Sequence, residues 1–196
     1  PLAGIRVVDL TTVLMGPYTS QILGDYGADV IKVEPPGGDG VRGIGPARHP
    51  GMGGLFINAN RNKRSIVLDL KQPAGRRVLL ELAAGADVLL FNVRPQAMAR
   101  PGLAYEDVAA GVFGYGQSGP YAAKPAYDDL IQGATGFAAL SMRAGGERPA
   151  YVPIPVADRF VGASAVGAIV AALFHRERTG EGQSVEIPMF ETMAQM

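Results

Sequence analysis

The residue types in this chain that could do chemistry are few, and most of them are carboxylates. No cysteine occurs in the 196 residues, which removes thiol nucleophiles, disulfides and thiolate metal sites together. There are two histidines. His175 stands beside Arg176 at what reads as a helix terminus, where a surface or dipole role fits best, and His49 lies in a glycine- and proline-rich stretch. Neither has an acidic partner in its loop and there is no Gly-x-Ser-x-Gly elbow, so serine–histidine hydrolysis is unsupported and no metal site is expected. Asp9, Asp128, Asp129 and Asp158 remain, each at or near the end of a predicted element. A carboxyl with the ordinary pKa of about 3.9 is ionised roughly a thousand to one at pH 7. Such a group is a nucleophile without needing a base wherever the electrophile is already activated, as a thioester is.

Asp158 has the most distinctive setting. The stretch Tyr151-Val-Pro-Ile-Pro-Val-Ala-Asp158 is stiffened by two prolines and leads into Val161, Ala165, Val166, Ile169, Val170, Leu173 and Phe174, spaced to share one helix face. Arg176, Arg178 and Gly180 supply the stop signal. The commoner role for an aspartate placed like this is a helix cap.

The elements that would position Asp158 follow a strand–helix order. Ile5–Leu10 reads as a strand, Tyr18–Tyr26 as a helix closed by Gly27, and Ala28–Glu34 as a second strand, which together form a βαβ unit. Residues 35–60 read as a long Gly- and Pro-rich loop. Arg61, Lys63 and Arg64 then gather ahead of a strand over Ile66–Leu70, and a helix opens at Pro73 and runs to about Ala84. Ala86–Asn92 is the next strand. Lys71 follows one strand and Arg94 and Arg100 follow another, where open α/β sheets place ligands, so a phosphorylated ligand is plausible on charge. Only Val112-Phe113 reads as strand before Gly114-Tyr-Gly-Gln-Ser-Gly119. That hexapeptide fits a dinucleotide fingerprint in letters alone, because no proper strand precedes it and no helix opens after it. A helical stretch from Tyr127 toward Leu140, a strand over Gly182–Ile187 and a helix from Pro188 complete the order.

Five stretches resemble the class III coenzyme A transferases, the family of formyl-CoA transferase and the carnitine CoA-transferases. They are Leu2-Ala-Gly-Ile-Arg-Val-Val-Asp-Leu10, Gly24-Asp-Tyr-Gly-Ala-Asp-Val-Ile-Lys-Val-Glu34, Asn62-Lys-Arg-Ser-Ile-Val-Leu-Asp-Leu-Lys71, Gly114-Tyr-Gly-Gln-Ser-Gly-Pro120 and Arg176-Glu-Arg-Thr-Gly-Glu-Gly-Gln183. They run in the family's order over nearly the whole chain. The resemblance implies a Rossmann-like α/β fold, an open and mostly parallel sheet flanked by helices. It implies Asp158 as the nucleophile, passing through an aspartyl anhydride and an aspartyl-CoA thioester. Leu68, Lys71, Asn92, Val93 and Arg100 would grip coenzyme A; Leu14, Met15 and Tyr127 would face the substrate. Charge alone adds Arg61, Lys63 and Arg64. Leu14 stands where formyl-CoA transferase carries glutamine, which argues against oxalate and formate.

The nearest alternative on the same fold is an α-methylacyl-CoA racemase. There a His-Asp pair stands where this chain has Tyr127-Asp128, and a phenol with an ordinary pKa of about 10 is a poor base at neutral pH. A CoA-binding module without chemistry is the reading from another class. The resemblance further implies a homodimer, acyl-CoA and carboxylate substrates, and a family length about twice this one. Residues 1–196 would then be the large CoA-binding and catalytic domain, incomplete, with the second small domain absent. It also implies residues lost between Ala110 and Gly111.

Composition sets outer bounds. With 47% hydrophobic and 18% charged residues the chain can bury a core and is not disordered. Lys and Arg together number 18, as do Asp and Glu, so no net field draws it to nucleic acid. The apolar run Val161–Phe174, interrupted by Gly162 and Gly167, reads as too short for a membrane span. No export signal is evident at Pro1, and a cytoplasmic location is expected.

Overall fold

A computed structural model describes residues 1–92 and 109–196. Six strands form one all-parallel sheet: β1 (Arg6–Asp9), β2 (Asp29–Glu34), β3 (Lys63–Val67), β4 (Val88–Phe91), β5 (Ala109–Phe113) and β6 (Ser184–Pro188). Their order across the sheet is β3-β2-β1-β4-β5-β6, the doubly wound arrangement with a topological switch between β1 and β4. Among the described residues the helices are α1 (Met15–Asp25), α2 (Gly54–Asn60), α3 (Pro73–Ala84), α4 (Asp128–Ala134), α5 (Phe137–Arg143), α6 (Val156–Thr179) and α7 (Met189–Ala194).

Strand alternation divides the core. Val7, Val30, Val88, Leu90, Ala110 and Val112 point to the face covered by α1 and α6, where Leu23, Val161, Ala165 and Ile169 bury against them. Val8, Val33, Leu89 and Phe91 point to the other face and pack with Leu79 of α3. By length and composition α6 could cross a membrane, with a mean hydropathy of 1.6, so the expectation that no stretch is long enough was too strict. Here α6 is a core helix, with Val161, Ala165, Val166, Ile169, Ala172 and Leu173 buried.

The carboxyl end of β1 carries an ionic cluster. Asp9 is fully buried and accepts bonds from Thr11 N–H at 2.8 Å, Ser20 Oγ at 2.6 Å and Lys63 Nζ at 3.1 Å. Burial alone would raise its pKa, but Lys63, Lys32 and the Ser20 and Thr11 hydroxyls outweigh that and hold it below the usual range. Lys32, also buried, reaches Thr11 O at 2.8 Å and pairs with Asp39 at 2.9 Å.

Several local expectations change. Strand β3 runs Lys63–Val67 rather than Ile66–Leu70, because Lys63 must reach Asp9. The stretch 35–60 holds a 3-10 turn over Gly40–Gly43 and the short α2, organised by Glu34, which Arg42 grips through two bonds of 2.6 Å. The helix expected from Tyr127 toward Leu140 is two helices, broken at Gly136 with φ +75°. The strand read as only Val112-Phe113 and as interrupted is a continuous five-residue β5, paired with both neighbours.

Helices α1 and α6 meet at Gly162. A Cβ there would stand 2.8 Å from the Met15 carbonyl oxygen, and Thr19 Oγ1 donates to Gly162 O at 3.0 Å. This close approach holds the start of α1 against the start of α6. Gly162→Ala is therefore expected to destabilise the protein by about 1–3 kcal/mol through overpacking. Gly167→Ala, on the same helix but in open space, is expected to stabilise it by about 0.5–1 kcal/mol through helix propensity. Urea unfolding of the two variants checks the opposite signs.

Candidate active site

Beyond the carboxyl ends of β1, β4 and β5 lies a cavity of about 110 Å³. Its lining includes Val13, Leu14 and Met15 from the loop into α1, Asn92 after β4, Tyr127 at the head of α4, and Asp158. Five residues predicted from sequence (Leu14, Met15, Asn92, Tyr127 and Asp158) thus converge at the β1/β4 switch point. Each is placed by a definable contact. Asn92 clamps the loop from β1, accepting from Thr12 N–H at 3.0 Å and donating through Nδ2 to Thr12 O at 2.8 Å. The next residue, Val13, has φ +70°, a left-handed backbone that is costly for a β-branched side chain. Tyr127 is held by the end of β5, where a Cβ on Gly114 would collide with Ala126 Cβ at 2.2 Å. Its side chain stays 63% exposed, at the mouth rather than the floor.

Asp158 does not cap α6. The helix begins at Val156 after Pro155, with no side-chain cap of its own, so Asp158 sits in the first turn. The cap comes from another helix: Asp158 N–H donates to Asp128 Oδ2 at 2.8 Å. Asp128 is in turn held by Gln132 Nε2 at 2.6 Å, and the buried Gln132 accepts from Val152 N–H at 2.9 Å. Sequence reasoning missed this role for Asp128. Its signal was only an aspartate at the start of a short helix, and the helix it caps begins 28 residues later.

The expectation of a fully ionised Asp158 is also corrected. Burial, reinforced by the negative charge of Asp128, pushes its carboxyl up to about 7, against the weaker pull of Arg159 and the Met15 backbone N–H. At neutral pH a large share of the free protein carries it neutral.

The CoA-binding positions are less gathered. Leu68 and Lys71 follow β3 at the same carboxyl edge but do not line the cavity. Leu68 N–H bonds Glu34 O at 2.9 Å, and Lys71 is exposed. β3 lies three strand spacings from β4, about 14 Å, a span suited to an extended ligand along the edge. Val93 and Arg100 lie outside the described residues. The three cations added on charge are taken up within the chain: Arg61 pairs with Asp25, Lys63 with Asp9 and Arg64 with Asp29. They form no basic patch.

A larger open groove, about 540 Å³, runs between α6, β6 and α7 and carries Glu186 and Glu191. Both carboxylates accept backbone N–H bonds, from Gln117 at 2.6 Å and Gly116 at 3.0 Å. The Gly114–Gly119 loop therefore spends those amides on the chain's own glutamates, in keeping with its rejection as a nucleotide fingerprint. Among the described residues no group of three metal-ligating acids or histidines is gathered.

A carboxyl whose folded pKa is raised stays protonated on the native chain while it ionises on the unfolded one. Its penalty is absent below about pH 4, grows as the pH rises toward 7 and is complete above that. Asp158→Asn is expected to raise unfolding free energy by on the order of 1–3 kcal/mol at pH 8, discounting for partial exposure, and to change little at pH 4. Denaturant melts at the two pH values test this.

Comparison with known proteins identifies the family. The family model for CoA-transferase family III matches residues 2–196. A succinate–glutarate CoA-transferase of Agrobacterium fabrum is 41% identical over 99% of this chain and 52% of its own length. An acetyl-CoA:oxalate CoA-transferase of Acetobacter aceti is 40% identical over 97% of this chain and 51% of its own. The crystal structure of a CaiB/BaiF family protein from Brucella suis superposes with a TM-score of 0.94 at 37% identity, covering 100% of this chain and 55% of that one. The chain thus spans about half the length of the relatives it matches. With the motifs, the sheet order and the switch-point cavity in agreement, the chain belongs to CoA-transferase family III.

Proposed function

We propose that this chain supplies the nucleophile and part of the CoA site of an enzyme that moves CoA from an acyl-CoA donor to a carboxylic acid. The observation that supports it most directly is Asp158 in the switch-point cavity, at the start of two helices, in a chain of this family. The carboxylate of Asp158 attacks the thioester carbonyl, forming a C–O bond as the C–S bond breaks, and CoA leaves as thiolate. The thiolate returns to the aspartyl carbonyl and expels the donor acid, leaving an aspartyl-CoA thioester. The acceptor carboxylate attacks that thioester and expels the thiolate again, giving a second anhydride. Attack on its acceptor carbonyl then releases the new acyl-CoA and regenerates Asp158. The N-termini of α1 and α6 favour negative charge at this point and suit the oxyanions that form.

One part of the wall beside Asp158 is apolar, with Leu14 and Met15 both buried. This favours acids with a short methylene chain between carboxylates, such as those named for the Agrobacterium relative, over oxalate. Since the Acetobacter relative is named for oxalate, glutarate and oxalate are the discriminating pair. Turnover with succinyl-CoA is expected to favour glutarate by at least about tenfold, the worth of one or two methylene contacts; equal rates would discard the wall argument.

The chemistry itself is checked by trapping. Incubation with an acyl-CoA followed by hydroxylamine or borohydride is expected to modify the peptide containing Asp158, and Asp158→Ala is expected to lose transfer. Labelling elsewhere, or a fully active variant, would overturn the assignment. Because the carboxylate is the reactive form, kcat/KM is expected to rise with pH through about 7.

A further inference from the structure

We propose that Asp128 is a positioning residue for the transfer: it fixes the first turn of α6 and sets a second negative charge beside Asp158 that covalent modification of Asp158 relieves. The inference rests on Asp158 being the nucleophile. Its own basis is geometric. Asp128 Oδ2 takes the Asp158 N–H at 2.8 Å, so its carboxylate is tied to the residue it acts upon. Gln132, buried at 2% exposure, holds the other oxygen at 2.6 Å and is itself anchored on Val152 N–H. This chain of contacts leaves Asp128 little freedom to swing away, and it also secures the proline-stiffened approach to α6.

A helix cap needs only a neutral oxygen, and asparagine or serine serves as well as aspartate. An aspartate here adds a charge that the cap does not require, at a place where it opposes the ionised form of Asp158. Burial opposes that form first, and Asp128 adds a like charge to it. Among the described residues lining the cavity, Asp158 is the one carboxyl and no cation stands with it; Thr12, Val13, Leu14, Met15, Asn92 and Tyr127 lie around it. Arg159, next in sequence, is drawn outward, over the Tyr18 ring at 4.3 Å and onto Asn58 Oδ1 at 2.9 Å.

Two like charges at close range raise the free energy of the resting carboxylate. When Asp158 attacks a thioester, its charge leaves with the CoA thiolate and the anhydride is neutral at that position. The aspartyl-CoA thioester is neutral there as well. Asp128 therefore lifts the starting state more than either covalent state, which favours the adducts and makes the carboxylate a stronger nucleophile. The same charge lowers the ionised share of Asp158 below neutral pH, so the gain is bought with a narrower working range.

The test is Asp128→Asn, which keeps an oxygen for the Asp158 N–H and removes the charge. Two measurements are made: titration of the Asp158 carboxyl by carbon-13 NMR, which needs no turnover, and the fraction of protein trapped as covalent adduct from a fixed acyl-CoA concentration. The midpoint of the titration is expected to fall by at least one pH unit. The trapped fraction at pH 8, where both proteins are largely ionised, is expected to fall severalfold, and the acid limb of kcat/KM to move with the titration. An unchanged midpoint, or an unchanged trapped fraction, would overturn the proposal. If Asp128→Asn fails to fold, Asp128→Ser is read by the same two criteria. Adduct formation in Asp158→Ala would instead defeat the nucleophile assignment, an outcome that the NMR midpoint cannot mimic.

Discussion

The buried charge of Asp9 is the constraint on which the rest of the structure leans. A carboxylate withdrawn from water at the end of the central strand is tolerable only if it is paired and fully bonded. The partners come from three directions: Thr11 from the loop that follows, Ser20 from α1 and Lys63 from β3. Supplying them fixes the register of the edge strand β3 and draws α1 onto the sheet. Lys32 then ties the same loop and Asp39 into the cluster. With α1 held this way, its first turn sits where Gly162 lets α6 approach, and Met15 comes to face Asp158. The charge that builds the frame and the charge proposed to do chemistry are different aspartates with opposite treatment. Asp9 is held ionised by cations, whereas Asp158 is pushed toward neutrality by burial and by Asp128.

That contrast explains why two aspartates in similar sequence settings differ in character. Both end up near the carboxyl edge of the sheet and both touch the loop between β1 and α1. Asp9 is saturated with donors and lies beneath the loop. Asp158 lines a cavity of mixed character, with Leu14, Met15 and Met189 beside Thr12, Asn92 and Tyr127, and it is the one carboxyl among the described lining residues. A saturated carboxylate is a poor nucleophile; an under-bonded one is a better one.

The sheet, most of its helices and the location of the site were legible in the sequence, because β-branched runs, helical spacing and terminal glycines are local signals. Asp158 was legible as a candidate from its position, but its weight came from the family resemblance. What local reading missed was long-range compensation. Lys63 looked like a ligand-facing cation because nothing nearby in sequence reveals Asp9 as its partner, 54 residues earlier. The partners of Arg61 and Arg64, Asp25 and Asp29, are equally remote in sequence. Asp158 looked like its own cap because the oxygen that caps α6 arrives from α4, across a tertiary contact. The helix α2 was read as loop since its seven residues, Gly54–Asn60, bury only Phe56 and Ala59, too few to establish a period. Leu68 and Lys71 fall at the expected carboxyl edge of the sheet, after β3 and outside the lining of the switch-point cavity.

Val13 carries a consequence of a different kind. A β-branched residue with φ +70° stores on the order of 1–3 kcal/mol in its backbone, clamped between Asn92 on one side and the first turn of α1 on the other. Glycine or asparagine would occupy the same conformation at lower cost. Val13→Gly would relax this backbone at the cavity rim while removing a side chain that lines it. At position 13 the comfort of the scaffold and the shape of the cavity make opposite demands on one residue.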